Sequence, residues 1–279
     1  MRYKIILSLL LICPPVTFSQ NKGDKDNENL LKSKYECSYL VRFINDTISM
    51  TNGREDWFIL NIGDDCSFGY FYYAYYIDSL LTNNVKLFTD MIHNAISSGT
   101  TSTFYSSFLY PSKLYKDNNK NIIIVCDYIS RYSYYYEDSL TLQTWKIEED
   151  TMTIAGYVCQ KAVCDWRGRS YEAWFTSEIP ISEGPWKFNG LPGLILYLYD
   201  TKRHYEFELV EFKKTEEIIN LESNTHRSFR FSTQKIERKE FLRVKFGKRG
   251  EFIESTEMEK VGLNYEPVSF NYSYLELDY

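Results

Sequence analysis

Hydrophobic and polar positions alternate along much of the second half of the chain. Val158, Ala162, Cys164 and Trp166 stand against Cys159, Lys161 and Asp165, and Tyr205, Phe207 and Leu209 stand against Glu206 and Glu208. A period of two marks a strand with one buried face, because successive side chains leave a pleated backbone on opposite sides. The pattern predicts strands over 121–128, 144–147, 153–166, 170–179, 194–200 and 204–213, with Arg167-Gly168-Arg169 as a hairpin turn. Earlier, 35–45 and 56–62 predict two more strands, with Asn52-Gly53 as the turn between them. A different period governs 76–97. There Ile77, Leu80, Leu81, Leu87, Phe88, Met91, Ile92 and Ala95 recur at three- and four-residue steps, which predicts one substantial helix ended by Gly99. A shorter, more basic helix is expected over 233–246, and 97–120, rich in Ser, Thr, Asn and Lys, as a loop or insertion. The expected fold is mainly β (α+β): a long antiparallel meander or half-barrel with one substantial helix.

The first residues break both patterns. Arg2 and Lys4 precede the apolar run 5–13, then Pro14 and Pro15, and Ser19 closes the stretch ahead of Gln20. Basic residues, a short apolar core and a small residue at the cut are the layout of a secretory signal peptide. A membrane anchor needs about twenty apolar residues, roughly twice what is here. Cys13 follows Ile12 rather than a small residue, which excludes a lipoprotein cut. No later run is apolar and long enough to span a bilayer. The organisation read from this is a signal peptide over 1–19, a polar flexible leader over 20–34, and a single β-rich domain over 35–279. The expected destination is the periplasm or the exterior.

Composition narrows the classes. The chain has 279 residues, 44% hydrophobic and 25% charged, with a formal net charge of −6. That is enough apolar mass for a core, and it excludes disorder and disulfide-dense miniproteins. Removal of Arg2 and Lys4 with the signal peptide moves the charge from −6 to −8, which argues against a nucleic-acid partner. The same cut takes Cys13 and leaves five of six cysteines, so not all of them can pair within the chain. Cys159 and Cys164, five apart in one extended strand, would lie about 16 Å apart. That is too far to bridge. Cys37, Cys66 and Cys126 are the better-placed partners, in no order that sequence supplies.

Chemical signatures are sparse. No C-x-x-C, G-x-S-x-G or P-loop spacing is present, and none of His93, His204 and His226 stands at metal-ligand spacing from another. No cofactor is implied. The adjacent carboxylates Asp64-Asp65 and Glu148-Glu149 diverge in extended backbone and read as solvated charges. Arg167 and Arg169, either side of the turn glycine, have the donors to clamp a carboxylate or phosphate. The tyrosine runs 70–76 and 134–136 are rich enough in area and polar tips to line a groove.

One stretch is neither strand nor helix. Residues 175–200 hold three of the seven prolines, Pro180, Pro185 and Pro192, with Gly184, Gly190 and Gly193. Such punctuation fixes a non-repetitive path, here expected as a loop on a rigid sheet with Trp186 and Phe188 exposed to a partner. Within it, Gly190-Leu191-Pro192-Gly193-Leu194-Ile195 is the hexapeptide of the GLPGLI family of exported Bacteroidetes proteins. The run from Ile154 to Ala162, then Arg167-Gly168-Arg169, Ala173-Trp174-Phe175-Thr176, Glu178-Ile179-Pro180 and Gly184-Pro185-Trp186, resembles that family in order. The resemblance is strong over 145–212. Upstream, 58–63, Ser67-Phe68 and Asp78 resemble its weaker N-terminal pattern.

The resemblance implies an exported β-rich protein with no established activity, from genes often near those of TonB-dependent outer-membrane receptors. The meander is also loosely similar to the half-barrel of periplasmic lipoprotein carriers. The leading expectation is a non-enzymatic envelope protein that binds an apolar ligand, such as a small molecule or lipid, or a protein partner associated with an outer-membrane receptor. Its site would be a cavity beside Trp174, Trp186 and Leu194. The residues singled out for binding are Arg167, Arg169, Trp174, Pro180, Trp186, Gly190, Leu191, Pro192, Gly193, Leu194 and Ile195. Two alternatives remain open: a metal-handling periplasmic protein, and a Cys-dependent hydrolase or redox enzyme pairing Cys159 with His204.

Overall fold

The structure is a computed structural model, and it describes residues 30–46, 51–99, 113–129, 132–140, 143–220, 234–246 and 275–276. Its frame is mainly β. The strands are β1 Leu30–Lys32, β2 Tyr35–Asp46, β3 Thr51–Ile62, β4 Cys66–Phe71, β5 Lys113–Asp117, β6 Ile122–Ile129 and β7 Tyr132–Ser139, followed by β8 Lys146–Ile154, β9 Tyr157–Trp166, β10 Arg169–Thr176, β11 Leu194–Asp200, β12 Tyr205–Lys214, β13 Ile218–Asn220 and β14 Gln234–Lys235. The helices are α1 Tyr72–Asn83, α2 Val85–Ser97 and α3 Arg238–Phe246. Twelve strands form one open sheet in the order β14-β7-β6-β5-β4-β3-β2-β12-β11-β10-β9-β8. It is a pair of antiparallel meanders, β2 to β7 and β8 to β12, joined where β12 lies against β2. Only β14 runs parallel to its neighbour.

Register explains the core. One cross-strand row runs Tyr136, Val125, Leu114, Gly69, Leu60, Cys37 through β7, β6, β5, β4, β3 and β2. A second runs Val41, Phe207, Leu198, Ala173, Ala162 through β2, β12, β11, β10 and β9. All these side chains are buried on the same face. Bulges at Leu209/Glu211, Trp174/Phe175 and Ile147/Thr151 interrupt the ladders. Such bulges increase twist and bend the strand that carries them. On the opposite face a small cluster of Leu31, Phe68 and Ile219 lies under the β1–β13 ribbon.

Several boundaries differ from the sequence expectation, each for a local reason. The helix expected over 76–97 is two helices, because Asn84 leaves helical geometry (φ −151°, ψ 65°) and caps α2 by accepting from Leu87 N at 3.1 Å. An N-cap asparagine satisfies one of the orphan amides of a new helix, a signal the continuous apolar stripe hid. Ile77 and Leu80 still meet Phe88, Met91, Ile92 and Ala95 across the pair, while Leu87 is exposed. Asn52-Gly53 lies inside β3, with Gly53 opposite Ile44, so the β2–β3 connection falls at 47–50, outside the described residues. The strand expected over 153–166 is broken by Ala155 and Gly156, both at positive φ, which form the β8–β9 hairpin. Arg167 and Gly168, at φ 50° and 78°, form the expected hairpin after β9. Part of the expected 97–120 loop is β5, and β4 and β7 are strands too. Within the expected helix, 234–237 is β14 and a short connection instead.

Candidate binding surface

The segment between β10 and β11 folds inward, not outward. Trp186 and Phe188, expected to be exposed, are both 0% exposed. Phe188 packs against Trp166, Tyr171 and Trp145, at ring separations of 5.0, 4.6 and 6.2 Å, and Trp186 reaches Phe71 on β4 at 6.1 Å. Trp186 holds a positive φ of 55°. For a bulky residue that conformation costs on the order of 1–2 kcal/mol and persists only where packing over-determines it.

The hexapeptide returns the chain to β11. Gly193 passes so close to β10 that a Cβ there would stand 2.0 Å from Thr176 O. No other residue fits. Leu191, Leu194 and Ile195 are buried, Gly190 and Pro192 face solvent, and Ile195 O accepts from Tyr39 Oη at 2.9 Å. The cavity expected beside Trp174, Trp186 and Leu194 is therefore filled by the chain itself. Leu194 is fully buried, and Trp174 lies on the other face of β10, opposite Lys161 and Tyr197.

Buried charges tie this segment to distant strands. Glu183 accepts from Lys116 of β5 at 2.7 Å and from Ser67 of β4 at 2.9 Å, and Lys116 also donates to Gly184 O and Phe188 O. Lys187 donates to Asp138 of β7 at 3.1 Å, and Arg167 reaches both oxygens of the same carboxylate, at 2.9 and 3.1 Å. Arg169 belongs to a separate cluster. It donates to Asp200 at 2.9 Å and lies 3.1 Å from His204 Nδ1. Burial, then the Arg169 and Lys202 charges, pull His204 below its ordinary value despite the opposing pull of Asp200, so its neutral ring accepts from Arg169. Pro180 is exposed at the start of the inward path.

The catalytic pairing is absent. Arg169, in contact with His204, stands opposite Trp166, while Cys159 lies seven residues back along β9, roughly 23 Å away. Burial also pushes the Cys159 thiol up to about 11. None of the five described cysteines forms a disulfide, so Cys37, Cys66 and Cys126 do not pair. His93 is on α2, and His226 lies outside the described residues. No group of three or more His, Cys, Asp or Glu among the described residues could hold a metal ion.

Two features remain open to solvent. A cleft of about 510 Å³ lies between the β2–β3 end and β12, with Arg42, Arg54, Arg203, Glu55 and Glu206 in its wall. Its arginines are engaged: Arg42 bridges Glu55 and Glu208 at 3.2 and 2.7 Å, and Arg203 lies 3.4 Å over the Tyr199 ring and donates to Tyr197 Oη. The second is β8, at the margin of the sheet. It is bonded to β9 on one side and, among the described residues, to no strand on the other. Ile147, Met152 and Val158 are 44%, 41% and 61% exposed beside it. Lys146 and Glu148 pair at 3.4 Å, whereas Glu149 and Asp150 are exposed with no ion pair among the described residues. Sequence reasoning treated 144–147 and 153–166 as separate strands, and so missed that 146–154 is one edge.

Residues 166–197 match the model of a family described as a protein of unknown function (Porph_ging). That span holds the β9–β10 turn, the inward segment and the hexapeptide. No curated protein matches the chain. Among solved structures the chain is similar to PNGF-II in the C2 and P21 space groups, at 15% identity over 78% of this chain, with TM-scores of 0.49 and 0.50. It spans about a third of the PNGF-II chain (33% and 34%), and the likeness is one of fold.

Proposed function

We propose that this is an exported, non-enzymatic binding protein whose partner is a polypeptide, taken as an added strand along β8. The observation that carries the proposal is the contrast between a filled interior and an open edge. The 177–193 segment occupies the place where an apolar ligand would sit, while β8, bonded to β9 on either side of the irregularity at Ile147/Thr151, meets no strand on its other side among the described residues. Unpaired backbone along an edge is a template for another strand. Here the three apolar side chains beside the edge offer contact area. Glu149 and Asp150 select a basic partner segment over an acidic one. Export, and with it a place in the envelope, is supported by the signal-peptide layout and by the resemblance to GLPGLI sequences.

The test is fluorescence anisotropy with a labelled octapeptide of alternating Lys and Val and a Glu–Val counterpart. Saturable binding of the Lys–Val peptide, lost in the E149K/D150K variant, is expected. Equal binding of both peptides, or no loss in the variant, contradicts the proposal.

A further inference from the structure

The cleft between the β2–β3 end and β12 carries a row of alternating charge. Glu206 on β12 stands opposite Arg42 on β2, and Arg42 stands opposite Glu55 on β3. The three therefore share one sheet face, at strand spacings of about 4.8 Å. Arg203, from the β11–β12 turn, extends the row beyond Glu206 at 3.3 Å. Arg54 also lines the cleft, with partners of its own, and Glu208 is bonded to Arg42. Three guanidiniums thus meet three carboxylates, so the cleft offers both signs of charge with no net excess of either.

Arg42 and Arg203 are held without being exhausted. Arg42 donates through Nε and Nη1 and Arg203 through Nη1, so Nη2 of each forms no hydrogen bond with the described residues. Arg203 has a positive φ of 57°, and its guanidinium carbon lies 3.4 Å from the centre of the Tyr199 ring. Its side chain is 45% exposed yet fixed in place, which lowers the ordering cost of binding a ligand there. Glu206 accepts from Arg203 on one oxygen and from Tyr197 on the other. Glu55 accepts from Arg42 on Oε1, which leaves Oε2 for another donor. Next to this pair on the same face, Ile44 is opposite Gly53, where an added Cβ would meet only Phe43 O at 3.9 Å. That part of the floor is clear and apolar.

Two guanidinium edges fit a carboxylate, whose planar oxygens match their donors. Glu55 and Glu206 repel a multiply charged anion such as phosphate, and Glu55 favours a ligand that brings its own cation. We propose that this cleft binds a free dipeptide with apolar side chains. Its carboxylate lies on Nη2 of Arg42 and Arg203, its ammonium on Glu55 Oε2, and its side chains over Ile44 and Gly53. An extended dipeptide spans at most about 7 Å, between one and two strand spacings, as the row requires. The cleft, at about 510 Å³, has room for it. A longer extended peptide sets its termini too far apart to use both ends of the row, so the cleft and the β8 edge call for different ligands.

The experiment is isothermal titration calorimetry of the full chain with Ala–Ile, N-acetyl-Ala–Ile, Ala–Ile amide and inorganic phosphate. Ala–Ile is expected to bind, and each blocked form to bind about tenfold more weakly or less. Two variants assign the ends. R203Q should lose the preference for Ala–Ile over its amide, and E55Q the preference for Ala–Ile over its acetylated form. No binding of Ala–Ile at millimolar concentration, equal binding of the blocked forms, or tighter binding of phosphate overturns the proposal. Unchanged preferences in variants that are folded by circular dichroism overturn it too. If a variant fails to fold, the blocked dipeptides on the unmodified protein decide alone.

Discussion

The Lys116 ammonium lies 2.7 Å from the Glu183 carboxylate, inside the sheet and 67 residues away in sequence. Lys116 is a β5 residue on the face shared by Leu114 and Ile123, and Glu183 belongs to the segment that fills that face. The pair pins the segment to the first meander, and Ser67 completes it. A lone buried charge is far costlier than a matched pair, so the two should be lost together more easily than one by one.

Lys116→Met should therefore destabilise the protein by about 3–5 kcal/mol, because Glu183 is left buried without its charge partner. The double substitution K116M/E183Q should recover a large part of that loss. Urea unfolding of the three proteins measures the coupling, and additive effects would show that the two side chains act independently.

Gly193→Ala should be among the most damaging single changes, since its methyl group would meet Thr176 O at 2.0 Å. A loss above about 3 kcal/mol is expected, large enough to displace the segment. Gly190→Ala, with a positive φ of 88° but only an ordinary 3.9 Å contact to the Trp145 ring, should cost only about 1 kcal/mol. Thermal unfolding of both variants tests the distinction, and similar losses would remove the close approach as the reason for Gly193.

Burial raises Asp56 from its ordinary 3.8 to about 7, against the pull of hydrogen bonds from Trp57 N and Tyr73 N. The folded state then holds this proton more tightly than the unfolded state, so Asp56 lowers stability progressively as pH rises from about 4 to 7. Asp56→Asn keeps an acceptor for the Trp57 and Tyr73 amides and removes the ionisation. Allowing for partial solvent screening, it should be more stable than the unmodified protein by about 1–2 kcal/mol at pH 8. The two should be alike at pH 4. Denaturant midpoints across that range check the sign, and a gain confined to low pH would refute it.

Burial pushes Cys159 and Cys126 up to about 11 and Cys164 to about 12. Such thiols stay protonated near neutrality and are poor nucleophiles. In the native protein at pH 7.5, iodoacetamide should leave them unmodified while labelling all of them after unfolding. Reductant should leave the melting temperature unchanged, because none of the described cysteines forms a disulfide. Rapid native labelling of Cys159 would revive a reactive role for it.

Much of the fold was legible because a period of two survives in the sequence wherever one sheet face is buried, as at Phe207 and Leu209. What escaped was set by contacts between distant residues. Nothing local to Tyr132–Ser139 distinguishes a strand from a run of tyrosines until Val125 is opposite Tyr136. The direction of the 177–193 segment was equally hidden. Proline and glycine announce a fixed path there, but the inward turn is decided by Lys116, Ser67 and Asp138. The edge at β8 was obscured by its acidic centre, Glu148 to Asp150, which carries no alternation. Arg167 stood out as a turn residue, but its partnership with Asp138 and Glu276 depends on chain segments far from it in sequence.

Hydrogen exchange of the full chain with and without the Lys–Val octapeptide tests the central proposal most directly. Added protection confined to residues 146–154, where the N–H groups of β8 not bonded to β9 gain acceptors, is the predicted result. Unchanged exchange along β8, or protection centred on the Arg42–Arg203 cleft, would contradict it.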